Sequence, residues 1–401
     1  LKIFNLSCYI NYMNELFERL PDPVHKVSLT KETLTKFYNS LEQNRKKWIS
    51  QTVNYNISDL IFFNVLPREL HVKNGRLIDA TIYEYITRSN GYYQHIVFYI
   101  DTRTFNIHLY LPLKESKTNA QAANGLFKKC IEKIYLWLSL ASTHITPQCS
   151  NTSSIYLYMT HFKKNFDIDE KIIRSKHVNS AFTTSCQEDT NVYIYRYEEW
   201  FKVLIHECFH CFGMDFSIID NQHVEQEITK TFNVYNPNGI RVYESYCELW
   251  GEVLNVVIFS FMKSKNTNNF CEIFDHLINK ELSFSFFQLS KILQKLDISY
   301  VNLVDEKYKS KRLEEDSHIL SYFFLKTILF SNLNIFERWC KRNNKTLFRF
   351  NYENAIKYTR LIIKLSNSDN IKDSLKKMSL FRKRIKMNNK VNNMAKMSII
   401  N

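Results

Sequence analysis

The chain has 401 residues, 45% of them hydrophobic, which is enough apolar side chain for a folded body of more than one domain. Gly and Pro number 6 each, a pair total well below the roughly 12% of ordinary usage, so collagen-like, Gly/Ser-linker and Pro-rich classes are excluded. The net charge of +14 is concentrated, because Lys372 to Lys396 holds nine Lys/Arg against the single acid Asp373 and leaves the rest only mildly basic.

Residues 1 to about 90 mix short helical patterns, Lys31 to Trp48 the clearest, with irregular stretches, and read as an accessory region without chemistry. From Gln94 to Leu111 the residues Ile96, Phe98 and Ile100, then Ile107, Leu109 and Leu111, alternate across Asp101-Thr102-Arg103, which predicts a β-hairpin. Asn119 to Leu140 has helical apolar spacing and ends near the loop His144 to Ser153. Short strands are expected at Ile155 to Met159 and Val192 to Tyr195, with a further exposed one at Val178 to Thr183. Glu198 to Phe212 reads as a helix closed by Gly213, the residue that turns left-handed at least cost. Val242 to Phe261, Phe286 to Leu296 and His318 to Phe330 read as apolar helices, so the chain passes from α+β to all-α near residue 215. The basic, Asn- and Met-rich end from about 366 reads as disordered.

Nine cysteines, an odd number scattered from Cys8 to Cys340 in a chain too long to need stapling, argue against a disulfide framework and for a reducing, intracellular compartment. The longest uncharged apolar runs, Val253 to Met262 and Ile319 to Phe330 with Lys326 inside it, fall short of the roughly 18 to 20 residues of a membrane span. A start at Leu1 leaves a removed leader open.

The chemistry is concentrated in His206-Glu207-Cys208-Phe209-His210, an HExxH string. On a helix, imidazoles four residues apart emerge on one face and one ion can touch both, while the intervening Glu207 can take a proton from a water polarised by that ion. From Trp200 to Phe212 the one strongly polar residue outside the motif is Lys202, so the helix is expected to be buried. Two imidazoles and a carboxylate in an apolar interior need partners, and a divalent cation satisfies all three together. A catalytic zinc takes three protein ligands; the later helix offers Glu244, Glu248 and Glu252 on one face.

At these residues the sequence resembles the gluzincins, HExxH metallopeptidases whose third ligand is a Glu on a later helix followed one turn on by an acid. Val203, Leu204, Ile205, Cys208, Phe209, Cys211 and Phe212 fit the uncharged and hydrophobic positions of that motif. The resemblance implies zinc held by His206, His210 and Glu244, with Glu207 as general base and acid and Glu248 orienting a ligand imidazole. Two departures, the long interval from His210 to Glu244 and Tyr243 where an Asn is usual, keep open a second arrangement with Glu248 as ligand and Glu252 behind it. The stretches VNSAFTTS, VYIYR, EEWFKVLIHECFH, CFGMDFS, ESYCELW and SYFFLK are also similar to uncharacterised metallopeptidases of large DNA viruses. The implied fold is zincin-like, with Val178 to Thr183 as the edge strand that takes extended substrate.

Other arrangements fit less well. A metzincin would need a zinc ligand at Phe216, which has none to give; neighbouring Asp215 suits the role of acceptor for a ligand His. Cys208 and Cys211 form a C-x-x-C on the wrong side of the helix for the same ion and read as core thiols. Donors to a developing oxyanion are sought in His318 and Tyr322, and in Tyr243 or Arg241.

The expectation is therefore an α+β protein with a small mixed sheet and an active-site helix. Residues 1–90 form the accessory region, 91–215 carry the HExxH helix, 216–365 are helical with the third ligand, and 366–401 are a basic tail. It would be a zinc-dependent, intracellular peptidase acting on protein or peptide. The alternative is a non-catalytic, virion-associated scaffold whose stretch 372–396, with Arg382-Lys383-Arg384-Ile385-Lys386, binds nucleic acid weakly.

Overall fold

The computed structural model describes residues 13, 15–113, 119–166, 172–304, 312–385 and 389–400. Two short strands, β1 (Tyr55–Ile57) and β2 (Ile61–Phe63), border a mixed sheet built on the hairpin of β3 (Asn90–Ile100) and β4 (Arg103–Leu113). Asp101 turns the hairpin at φ 55°, a left-handed conformation that Asp tolerates. Beyond β4 lie β5 (Thr152–Tyr158) and then β7 (Asp189–Ile194), all three parallel, and the far edge is β6 (Ala181–Thr183), antiparallel to β7. Both β5 and β7 begin three residues earlier than apolar alternation predicts. Their first residues are polar, and Ser153 Oγ and Thr190 Oγ1 are paired at 2.8 Å, so the extension carries no hydrophobic signal.

The sheet has two unlike faces. Ile96, Phe98, Phe105, Ile107, Leu109, Ile155, Leu157, Val192 and Ile194 point into the main core. On this side lie helices α1 (Lys31–Ile49), α3 (Ala120–Ala141) and α4 (Trp200–Cys211), and α4 carries the HExxH residues. The opposite face is aromatic: Tyr93, Tyr110, Tyr156, Tyr158, Tyr193 and Tyr195 are covered by Leu66, Val72 and Ile78 and by Ile82 and Ile86 of α2 (Ala80–Arg88). Here rings stack along the register, His95 on His108 at 4.5 Å, His108 on Tyr156 at 4.4 Å and Tyr156 on Tyr193 at 4.8 Å between centroids. Residues 66–86 thus close the sheet on the side away from the motif, while α1 packs on the motif side.

After α4 the chain is mostly helical, but not all-α as the periodicity predicts, because Val234–Tyr235 pairs in parallel with Leu313–Glu314 in a small second sheet. Successive helices are α5 (Gln222–Thr231), α6 (Tyr243–Lys263), α7 (Thr267–Leu296), α8 (Lys326–Phe330), α9 (Leu333–Asn343), α10 (Ala355–Ser366) and α11 (Asp369–Arg384). Leu320–Leu325, read as plain helix from sequence, is a π-helical turn leading into α8. One core joins these helices to the sheet and to Leu34, Phe37 and Leu41 of α1. None of the helices among the described residues is long and apolar enough to cross a membrane.

Two expectations are corrected. The stretch from 366 is not a disordered tail: Ile371, Leu375 and Met378 of α11 are buried in the core, and Met394, Ala395, Lys396, Met397, Ser398, Ile399 and Ile400 are all buried. Buried Glu281 accepts the backbone N–H groups of Ile399 and Ile400 at 3.0 and 2.9 Å. An excess of Lys and Asn hid the apolar spacing of α11 and the short apolar end. Lys386 of the basic cluster lies outside the described residues. The cysteines are not all thiols either, because Cys149 and Cys186 form a disulfide; Cys130, Cys208, Cys211, Cys247, Cys271 and Cys340 are free.

Candidate metal centre

From the end of β7 the chain turns into α4 at Glu199, whose backbone is left-handed at φ 59°. Every residue of α4 is buried, which its apolar surroundings on all sides require. Gly213 ends it at φ 61° as the sequence predicts, in a Schellman turn: Gly213 N–H donates to His210 O and Met214 N–H to Phe209 O. The last-turn carbonyls find further donors outside the helix. Cys186 N–H reaches His210 O, Ser150 Oγ reaches Cys211 O, Thr146 N–H reaches Phe212 O and Thr146 Oγ1 reaches Gly213 O. These donors sit on two loops that the Cys149–Cys186 bridge joins, so the turn bearing His210 is clamped.

Helix α6 passes close to α4 at Gly251, where a Cβ would stand 3.3 Å from Lys202 O and 3.5 Å from His206 Cβ. That approach lays Glu244 and Glu248 alongside the imidazoles. Glu244 Oε2 is 3.1 Å from His206 Nε2 and 3.4 Å from His210 Nε2, and the two Nε2 atoms are 3.2 Å apart. The outer nitrogens face other carboxylates: His210 Nδ1 is 2.5 Å from Asp215 Oδ2, and His206 Nδ1 is 3.0 Å from Glu248 Oε2, off the line of an ideal hydrogen bond. Glu252 is turned elsewhere, with Lys326 Nζ 2.7 Å from its Oε1.

With the imidazole protons on the Nδ1 atoms, beside Asp215 and Glu248, both Nε2 lone pairs would be directed inward toward the Glu244 oxygen, an arrangement that a cation among them would satisfy. The three could hold a divalent metal ion. For a tetrahedral ion with donors at about 2.0 to 2.2 Å, donor-to-donor edges are about 3.3 to 3.6 Å, close to the edges found. A second group within 4.8 Å, His210, Asp215 and Cys247, shares His210 and lies on its Nδ1 side.

Burial opposes charge on every one of these groups, and neighbours decide the result. The Glu244 carboxyl is pushed up by burial yet held well below the usual carboxylate range by His210 and His206. Glu248 is likewise held low, with Lys202 and His206 overriding burial. Burial raises the Glu207 carboxyl above its ordinary value, against the pull of both imidazoles. Glu252 is pushed up to about 8 by burial, against the pull of Lys326.

A cleft on the His206 side is lined by His206, Glu207, Tyr322, Lys202, Met397 and the backbone stretch Asn179–Ala181 that enters β6. Tyr322 lies 6.1 Å from the His206 ring and 5.9 Å from that of His318, centroid to centroid. Burial pushes His318 down to about 4, so its imidazole is neutral. Tyr243 packs edge-on against His210 at 5.8 Å. Cys208 and Cys211 take no part in the cluster.

Sequence reasoning did not find the partners of the outer carboxylates: Lys202 for Glu248, and Ser217, whose N–H and Oγ reach Asp215 Oδ1 at 3.2 and 2.9 Å. Lys202 did leave a signal, as the lone charge outside the motif in an apolar helix, one turn before His206. No family model, no curated protein and no solved structure matches the chain. The likeness to gluzincins therefore rests on the motif residues.

Proposed function

We propose that the chain is a zinc-dependent peptidase of the gluzincin-like HExxH class with a zincin-like fold. The observation that carries this reading is the triangle of His206 Nε2, His210 Nε2 and Glu244 Oε2, with edges of 3.1, 3.2 and 3.4 Å. Two imidazoles and one carboxylate, with no thiolate, are the donor set of a hydrolytic zinc site, and a zinc ion there supplies Lewis acidity toward a carbonyl oxygen and acidifies water.

The protein's own groups do the rest. Glu207 stands next to His206 on the cleft, and its raised carboxyl is suited to accept a proton from the attacking water and return it to the leaving amine nitrogen. Glu248 and Asp215 hold the imidazole protons on Nδ1. Tyr322, on the same cleft, is the group from which an O–H would reach a developing oxyanion, with neutral His318 behind it. Strand β6, last in the sheet order, offers its outer edge to an extended peptide beside Glu207. The competing scaffold reading wants a free basic arm, whereas α11 and residues 394–400 are packed into the body.

Hydrolysis of a mixed peptide library by the zinc-loaded protein tests this. Glu207→Gln should retain one zinc per chain and lose activity by about a hundredfold or more. A variant that keeps its turnover would remove Glu207 from the mechanism.

A further inference from the structure

Each imidazole faces a carboxylate on its Nδ1 side, hydrogen-bonded for His210 and within 3.0 Å but off the hydrogen-bond line for His206. His210 Nδ1 meets Asp215 Oδ2, and the other oxygen of Asp215 is fixed by two donors from Ser217. His206 Nδ1 meets Glu248 Oε2, and the other oxygen of Glu248 is fixed by the ammonium of Lys202. The side chains of Lys202 and Glu248 are each 2% exposed. Lys202 lies on the same face of α4 as His206, four residues before it, and is wedged beneath Glu248 with the Met397 sulfur 3.7 Å from its Nζ. A charged pair this deep adds little net stability over apolar side chains of the same volume, so its presence beside a metal site calls for a positional explanation.

We propose that Lys202 is a positioning residue of the metal centre: it anchors Glu248, and Glu248 in turn fixes the orientation and the Nδ1 proton of His206. The inference rests on the metal reading above and extends it to a residue outside the HExxH motif. Without Lys202, Glu248 lacks its anchor, and another ammonium whose charge acts on it is Lys326, which serves Glu252 one turn further along α6. A carboxylate swung that way leaves His206 Nδ1 without an acceptor. The ring can then carry its proton on Nε2, a tautomer that offers no lone pair to the ion.

The test compares zinc dissociation constants, by chelator competition, for the full-length parent, Lys202→Met and Lys202→Arg, with the His206 tautomer read from imidazole ¹⁵N shifts in the metal-free proteins. Expected are a 10- to 100-fold weaker affinity for Lys202→Met, a shift of the His206 proton toward Nε2, and recovery of affinity in Lys202→Arg. If Lys202→Met does not fold, Glu248→Gln and the Lys202→Met/Glu248→Gln double variant give the same answer, since removing Lys202 should cost no affinity once Glu248 is neutral. Parent-like affinity with the proton still on Nδ1, or additive losses in the double variant, would overturn the role of Lys202 while leaving the zinc reading intact. A parent that takes up no zinc would overturn both.

Discussion

Three glutamates of one type, each one helical turn apart, have different fates. Glu244 meets both Nε2 atoms, Glu248 lies behind His206, and Glu252 pairs with Lys326. Helical spacing puts all three on one face, but their height along α4 is set where the two helices cross at Gly251, which no sequence pattern states. That is why the pair His206 and His210 was legible as a unit and the third partner was left between two choices. Replacing each acid separates the roles. Glu244→Ala should weaken zinc binding by three orders of magnitude or more, on the order of 4 kcal/mol, without unfolding the protein. Glu252→Ala should bind zinc normally but lose about 1 to 3 kcal/mol of stability, because it takes the carboxyl partner from buried Lys326 Nζ and leaves it only Ser285 Oγ at 2.9 Å. Competition titration and urea melts of the two variants check this, and equal zinc loss in both would refute the assignment.

At the scale of elements, α4 behaves as a rod fastened at both ends. Its start is turned sharply at Glu199, and its last carbonyls are taken by Thr146, Ser150 and Cys186. The hairpin, α3, α4 and its Gly213 cap were legible because each has a strong period or a demanding backbone angle. The clamp was not, since three of its members are ordinary loop residues and nothing in nine scattered cysteines says which two will meet. Cys149→Ser/Cys186→Ser opens a loop of sequence separation 37, for which chain entropy alone suggests a loss of about 3 to 4 kcal/mol. Zinc affinity should fall as well, since His210 O loses the segment that holds it. A double variant with unchanged melting and zinc binding would show that the clamp does not depend on the bridge.

For the whole molecule, the end of the described chain is part of the interior. Residues 394–400 run between α6 and α7: Asn255 Nδ2 donates to Ile400 O, Glu281 accepts from Ile399 and Ile400, and Met397 and Ser398 give their N–H groups to Glu199 at the head of α4. Sequence composition pointed to solvent here because it weighs charges, whereas burial follows the few apolar residues among them. Each buried Met or Ile side chain is worth about 1.5 to 3 kcal/mol. Ending the chain at Asn393 therefore removes an amount comparable with the roughly 5 to 15 kcal/mol that holds a whole domain together. The truncated protein should melt far below the full-length chain or fail to fold; a melting curve like the parent's would return this segment to the status of a tail.

The functional reading depends on one ion, and a crystal of the zinc-treated protein measured at the zinc absorption edge would locate it. The account predicts a single anomalous peak per chain within about 2.0 to 2.2 Å of His206 Nε2, His210 Nε2 and a Glu244 oxygen, with Glu207 beside it but not bound. A peak bonded to Glu248 in place of Glu244, or no peak at all among these side chains at saturating zinc, would contradict it.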